Sequence, residues 1–481
     1  MAVLLINSLQ IVYHRDEALK KESFIILTIL VAWAYLNIFQ LPYFALTLPL
    51  TQNWLTDNGL IVFKDIVYHH NPLPLLVLYG MSKLLGNNFF MLQASSFAML
   101  VLFGYGIYLA ARQIAKRVGL ISFVVFIISF PVLFNNFNIE EMTSSLFALW
   151  AFYFFVKFYK TISYKFIFLF GAFLGLSFMG KQPSILLLFP LMVLLFVSNN
   201  RALFFKKTLV YLAFGILISI LPFIVYFLYN NALYDFYYWS IIFNLTIYPA
   251  LSKSHVVIGG IIPILWLLLS IFPAVVIIRK KTQGNFKFIV ASLIIATIFL
   301  FPSLLPSFLT YKALIFYPYP LILWAIVLSE KKNSAVFLSL IVGIMLFIPV
   351  LKDFYVDYFP QNIFNRQYIL DYGQDELRVV EWLKKNTRGD EKIINIGNHY
   401  MLTLAQRLPA NKYVYIFPWL VYPYEKSTKE MLNNLSRVVV LDSRIYEDWP
   451  LVDREWKIIP AIRSIYEKET NFGTYDIYVR K

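Results

Sequence analysis

The stretch KKTLVYLAFGILISILPFIVYFLY, residues 206–229, decides the fold class. Two lysines open it, and residues 208–229 then contain no Asp, Glu, Lys, Arg or His. The hydrocarbon core of a bilayer is crossed by about 20 mostly apolar helical residues. In lipid every backbone polar group must be satisfied within the segment, so this stretch reads as a transmembrane helix. Lys206 and Lys207 mark its cytoplasmic end, because basic residues are retained on that side.

Outward from this stretch the pattern repeats. Eleven apolar segments are expected as spans, at 23–46, 89–111, 119–135, 142–158, 165–180, 184–198, 208–229, 256–278, 288–306, 311–328 and 334–351. One set of connections holds Arg15, Lys20, Lys21; Arg112, Lys116, Arg117; Lys157, Lys160, Lys165; Arg201, Lys206, Lys207; Arg279, Lys280, Lys281, Lys287; and Lys331, Lys332. The alternate connections hold only Lys64, Lys83, Lys181, Lys253 and Lys312. The asymmetry predicts a cytoplasmic N-terminus and, with an odd number of spans, an extracytoplasmic C-terminus. Segment 2–13 is apolar, but its charges follow it, so it reads as interfacial and not as a cleaved signal peptide.

Composition agrees. Hydrophobic residues make up 59%, mean hydropathy is +0.66 and charged residues are 14%, about half the share in a soluble domain. There is no cysteine, which excludes disulfides, thiolate nucleophiles and cysteine metal sites. The net charge of +15 is spread over topology-setting clusters and forms no single basic face, which argues against nucleic acid as a partner. From about Phe354 charges become dense and apolar runs shorten. A helix is expected at 375–388, buried strands at 392–397 and 437–442, and a hairpin from 464–470 and 474–480 around Asn471-Phe472-Gly473. The expected organisation is therefore a mainly α, polytopic membrane domain, 1–353, followed by a small extracytoplasmic α/β domain, 354–481.

Ionisable groups that carry chemistry gather in the outer connections. The first, about 47–88, contains Asp57-Asn58-Gly59 and Phe63-Lys64-Asp65-Ile66-Val67-Tyr68-His69-His70-Asn71-Pro72. A carboxylate there suits a general base, and Lys64, His69 and His70 suit a phosphate. The bland alternative is a solvated loop, with Asp57 shaping the Asn-Gly turn. Adjacent histidines without further ligand spacing are a poor metal site, and no metal or other cofactor is expected. The second connection ends in Glu140-Glu141; neighbours on a helix point about 100° apart, so one of the two is expected to face a central cavity. Both also fit a helix N-terminus, where acids are favoured. Lys181 and Lys312 lie between apolar segments. At the bilayer centre each costs roughly 2.5–3.5 kcal/mol, so each is expected at the interface or paired, for instance with a lipid phosphate. Asp235 lies in an aromatic stretch that suits an interfacial helix.

These motifs resemble the multi-spanning GT-C glycosyltransferases of the dolichyl-phosphate-mannose–protein mannosyltransferase and aminoarabinose-transferase type. Gly59, Phe63-Lys64-Asp65, His69-His70 and Pro72 match the first outer loop of that family in order. Gly175-Leu176-Ser177-Phe178-Met179-Gly180-Lys181-Gln182-Pro183 is similar to a segment common in its bacterial members. Ala232-Leu233-Tyr234-Asp235-Phe236-Tyr237-Tyr238-Trp239, Phe243-Asn244 and the Glu376-Leu377 helix also resemble it. The resemblance implies a sugar donor carried on a polyprenyl phosphate, held in the bilayer, with an acceptor glycan, lipid, protein or cell-envelope polymer at the outer face. Lys64, His69, His70, Lys181, Lys312 and Asp235 are the candidate substrate contacts, with polar anchoring of an interfacial helix the other reading for Asp235. One departure stands out: the acid that usually precedes the Gly by some ten to fifteen residues is missing, since 44–53 contains no Asp or Glu. Asp65 leads the candidates for the base, followed by Glu140 or Glu141 and then Asp57. The rival readings are a transporter of lipid-linked glycans and an inactive, lipid-binding scaffold.

Overall fold

The computed structural model describes residues 17–40, 44–45, 47–133, 139–189, 192–193, 201–251, 261–280, 284–304, 310–330, 369–370, 372–417, 420–433, 436–443 and 456–481. Five helical stretches among them are long and apolar enough to cross a membrane: Lys21–Ile38, Phe89–Arg112, Ile139–Thr161, Lys206–Tyr229 and Gly284–Leu304. Shorter apolar helices cover Leu73–Leu85, Tyr164–Gly180, Ile264–Arg279 and Pro318–Ser329. The chain is thus a polytopic helical protein. The segment expected at 334–351 lies outside the described residues, and that at 184–198 is described in part, opening with the 3-10 helix Gln182–Leu187. The segment expected at 119–135 is the helix Lys116–Leu133.

The connection at 47–88, for which a solvated loop is the bland alternative, is largely helical. It holds two helices, Leu48–Asp57 and Leu73–Leu85. The first buries Thr51, Gln52 and Asn53 beside Leu50 and Leu55, a mixed face that hydrophobic periodicity does not register.

Small residues bring the central helices together. Tyr164–Gly180 packs on Arg201–Tyr229, and a Cβ on Gly171 would meet the Leu212 carbonyl while one on Gly215 would meet the Phe168 carbonyl. Small residues allow this approach where lipid supplies no hydrophobic drive for helix association. On its other side Tyr164–Gly180 packs against Ile139–Thr161. There Ser144 Oγ donates to the Ser177 carbonyl at 3.0 Å and Ser177 Oγ donates to the Ser144 carbonyl at 2.7 Å. These reciprocal bonds fix the axial register of the two helices.

The C-terminal part forms a four-stranded sheet. Ile394–Ile396 runs parallel to Val438–Asp442, which pairs antiparallel with Tyr475–Arg480, and Tyr466–Phe472 completes the hairpin. Gly473 supplies the positive φ of the turn. Helix Gln374–Asn386 covers the hairpin with Val379, Val380 and Leu383 buried. Tyr475 donates to Glu376 at 2.7 Å, which ties the sheet to the first turn of that helix. The domain start expected near 354 lies outside the described residues. This domain sits on the first outer segment: Val67 N–H donates to the Lys412 carbonyl at 2.8 Å, Tyr415 OH to Gln52 Oε1 at 2.9 Å and Thr403 to Thr51 at 3.2 Å.

Candidate active site

Glu140 and Glu141 occupy the first turn of helix Ile139–Thr161, where the partial positive charge of the helix N-terminus favours carboxylates. Lys181 follows the last turn of Tyr164–Gly180, where the opposite end favours a cation, and its N–H donates to the Ser177 carbonyl at 2.9 Å. The serine register therefore sets an acidic helix start beside a basic helix end. The result is an ion pair between Lys181 and Glu141, with the two side chains only 14% and 1% exposed. The second Glu141 oxygen is buried and has no hydrogen-bond partner among the described residues.

Glu140 turns the other way. Tyr68 OH donates to its Oε1, and His70 Nε2 lies 3.0 Å from its Oε2. Burial, and then the negative charge of Glu140, push the Tyr68 phenol well above its usual range, so it stays protonated and donates. The His69 ring lies against His70, with centroids 3.9 Å apart. Burial, then the positive charges of His70, Lys181 and Lys312, hold His69 well below the ordinary histidine range, so it is neutral. Lys312 is buried, with Nζ 5.5 Å from the centre of the Tyr248 ring, and that ring also faces His69 at 5.6 Å.

Side-chain amides hold the outer segments around this cluster. Asn71 donates to the Phe178 carbonyl, Gln182 donates to Asn71 Oδ1 at 3.0 Å and to the Ser240 carbonyl, and Asn244 donates to the His69 carbonyl. Each amide bridges two segments remote in sequence, so the cluster is set by packing and not by one loop.

The sequence candidates thus divide. Glu140, Glu141, His69, His70, Lys181 and Lys312 come together; both glutamates are buried, on diverging sides of their helix. Asp57 pairs with Lys83 near the surface. Asp65 Oδ2 accepts from the Ile61 N–H at 2.9 Å and closes a tight turn in which Phe63 has φ +73°. Lys64 donates to the Asn230 carbonyl at 3.0 Å. Lys64 and Asp65 line a separate cavity of about 570 Å³ shared with Lys392, Lys412, Tyr413 and Glu430. Asp235 is half-buried on the short helix Leu233–Tyr237. No hydrogen bond or ion pair among the described residues joins these four to the carboxylate cluster. The residues that sequence reasoning passed over are Tyr68, Asn71, Gln182 and Asn244, all inside the quoted motifs. The available signal for Tyr68 was its i, i+2 spacing from His70, since alternate residues of an extended segment face one side.

A family model described as dolichyl-phosphate-mannose-protein mannosyltransferase matches residues 69–227, which include the whole Glu140–Lys181 region. No curated protein matches the chain by sequence. Among solved structures, ArnT from Cupriavidus metallidurans bound to undecaprenyl phosphate aligns with a TM-score of 0.60 at 12% identity, covering 95% of this chain and 97% of that one. The Archaeoglobus fulgidus oligosaccharyltransferase tethered with an acceptor peptide aligns at 0.58 and 13% identity, over 96% of this chain and 74% of that one. The same archaeal enzyme in complex with an inhibitory peptide and a dolichol-phosphate gives 0.56 at 13% identity, with the same coverage.

The chain has the GT-C fold. Both the helical part and the C-terminal sheet fall within the aligned length, and the cluster lies at helix ends beneath that sheet domain.

Proposed function

We propose that the chain is a membrane glycosyltransferase that moves a sugar from a polyprenyl-phosphate carrier to an acceptor at the extracytoplasmic face. The observation that carries this reading is the buried cluster in which Glu140 is held by Tyr68 and His70 while Lys181 and Lys312 stand beside it. Such a site supplies both halves of the reaction. Glu140 takes the proton of the acceptor hydroxyl, whose oxygen forms a bond to the anomeric carbon. The bond from that carbon to the phosphate oxygen breaks, and the carrier phosphate leaves with the electron pair, its charge held by the lysines. Glu140 is preferred to Asp65 as the base because Asp65 is committed to a backbone turn. The basic-residue asymmetry favours an outward C-terminal domain. A transporter reading would place ionisable groups along the spans, whereas these gather at the helix ends.

The test uses the full chain in lipid nanodiscs with undecaprenyl phosphate and with sugar-loaded carrier plus membrane-extracted acceptor. Saturable binding of the phosphate lipid and transfer lost in Glu140→Gln are expected. Binding without any transfer would leave the lipid-binding scaffold, and no binding would remove the reading altogether.

A further inference from the structure

The two glutamates differ in how completely they are satisfied. Both oxygens of Glu140 have partners, Tyr68 and His70. Glu141 gives one oxygen to Lys181 and buries the other without a partner among the described residues. A buried anion held on one side only is costly and readily displaced by a better-fitting one. For a lysine ammonium, a phosphate oxygen and a carboxylate oxygen are ligands of the same kind. Lys312 lies within electrostatic reach of both Lys181 and Glu141.

Building on the glycosyltransferase reading, we propose that Glu141 is an internal counter-ion that competes with the carrier phosphate for Lys181 and so favours the loaded carrier over the spent one. The charges carry the argument. With Glu140 set apart by its own partners, Tyr68 and His70, Lys181 and Lys312 supply two positive charges and Glu141 one negative. A sugar-loaded carrier is a phosphodiester with a single negative charge, which brings the group to neutrality. Transfer turns it into a monoester, whose second ionisation lies near pH 6, with about −1.5 to −2 charges at pH 7. The excess negative charge then faces Glu141 at close range, and the carboxylate regains Lys181 as the spent lipid leaves. Glu141 is in this account a positioning residue for release, and Glu140 remains the base.

The probes are undecaprenyl phosphate, a dianion, and its methyl ester, a monoanion, bound to the full chain in nanodiscs at pH 7.5. Glu141→Gln is expected to tighten undecaprenyl phosphate by about tenfold or more, the scale of one removed close repulsion, and the methyl ester distinctly less. Turnover should fall while product inhibition deepens. Weaker or unchanged binding of the dianion by Glu141→Gln would make Glu141 a structural anchor of Lys181 and overturn the proposal, as would equal tightening of both probes. Should Glu141→Gln fail to fold, Lys181→Met must weaken the dianion more than the monoanion; equal weakening overturns the proposal. A wild-type chain that binds neither probe refutes the glycosyltransferase reading itself and the proposal with it.

Discussion

Glu140→Gln keeps the side-chain shape and removes the charge that this account needs for proton transfer. The Tyr68 hydroxyl can still donate to the amide oxygen, so half of the contact survives. The amide nitrogen then faces His70 Nε2 across the 3.0 Å gap, and the imidazole must accept there instead of donating. Folding is therefore largely kept, and the loss falls on chemistry. Removal of a general base costs roughly 10²–10⁴ in kcat, which is about 2.7–5.4 kcal/mol of barrier. The KM for donor should stay within about threefold, because Lys181 and Lys312 are untouched. Asp65→Asn is the matched control. Its amide oxygen can still accept from Ile61 N–H, so kcat should stay within about threefold of wild type. The assay is single-turnover transfer of radiolabelled sugar by the full chain in nanodiscs. Near-normal turnover in Glu140→Gln, or a hundredfold loss in Asp65→Asn with donor binding intact, would return the base to the first outer segment.

Further expectations concern fold, orientation and pH. Gly215→Leu forces a side chain into the Phe168 carbonyl and should cost about 1–3 kcal/mol or more, read as a lower midpoint in thermal aggregation; an unchanged midpoint would show that the helix contact is looser than described. The chain lacks cysteine, so single cysteines report topology directly. A membrane-impermeant maleimide applied to intact cells should label Lys426→Cys and spare Thr161→Cys, and the reverse pattern would invert the orientation. Burial pushes His399 down from 6.5 to about 3. Between those values the unfolded chain binds the proton and the native one does not, so stability falls as pH drops below about 6.5, by up to about 1.4 kcal/mol per unit. His399→Gln should flatten that dependence in melts between pH 7 and pH 5, and parallel slopes would exclude His399 as its source.

The long helices were legible because uncharged apolar length and flanking lysines are local signals, as at Lys206–Tyr229. The hairpin was legible for the same reason: the turn expected around Asn471-Phe472-Gly473 forms, with Gly473 at φ +57°. Elements shaped by tertiary contact were not. Helix Leu48–Asp57 buries Thr51 and Gln52 because the C-terminal domain offers Thr403 and Tyr415 as partners, and Asn53 because the Leu78 carbonyl and Asn87 accept from it. The span expected at 256–278 is described from Ile261 onward as an apolar helical stretch with a turn at Ser270 between Ile261–Leu269 and Ile271–Lys280, since Pro273 has no N–H for the Leu269 carbonyl. In the site, Glu141 and Lys181 each stand out as charges among apolar neighbours, but their pairing spans 40 residues. Tyr68 is one of 33 tyrosines, and beyond its spacing from His70 it is set apart by its distant partner Glu140.

The seam between helix Leu48–Asp57 and the C-terminal domain also has a consequence in time. Its hydrogen bonds join Thr51 to Thr403 across 352 positions and Gln52 to Tyr415 across 363. A ribosome adding about 5–20 residues per second needs roughly 20–70 s to bridge that interval. Throughout it the polar face of the early helix must stay solvated at the membrane surface, with the wall over Tyr68 still missing. Most of the spans can be inserted within that interval, so the lipid-facing part of the molecule matures before the carboxylate cluster has a roof. The cluster is therefore enclosed late, when the region carrying Thr403 and Tyr415 folds down onto a segment made about 350 residues earlier.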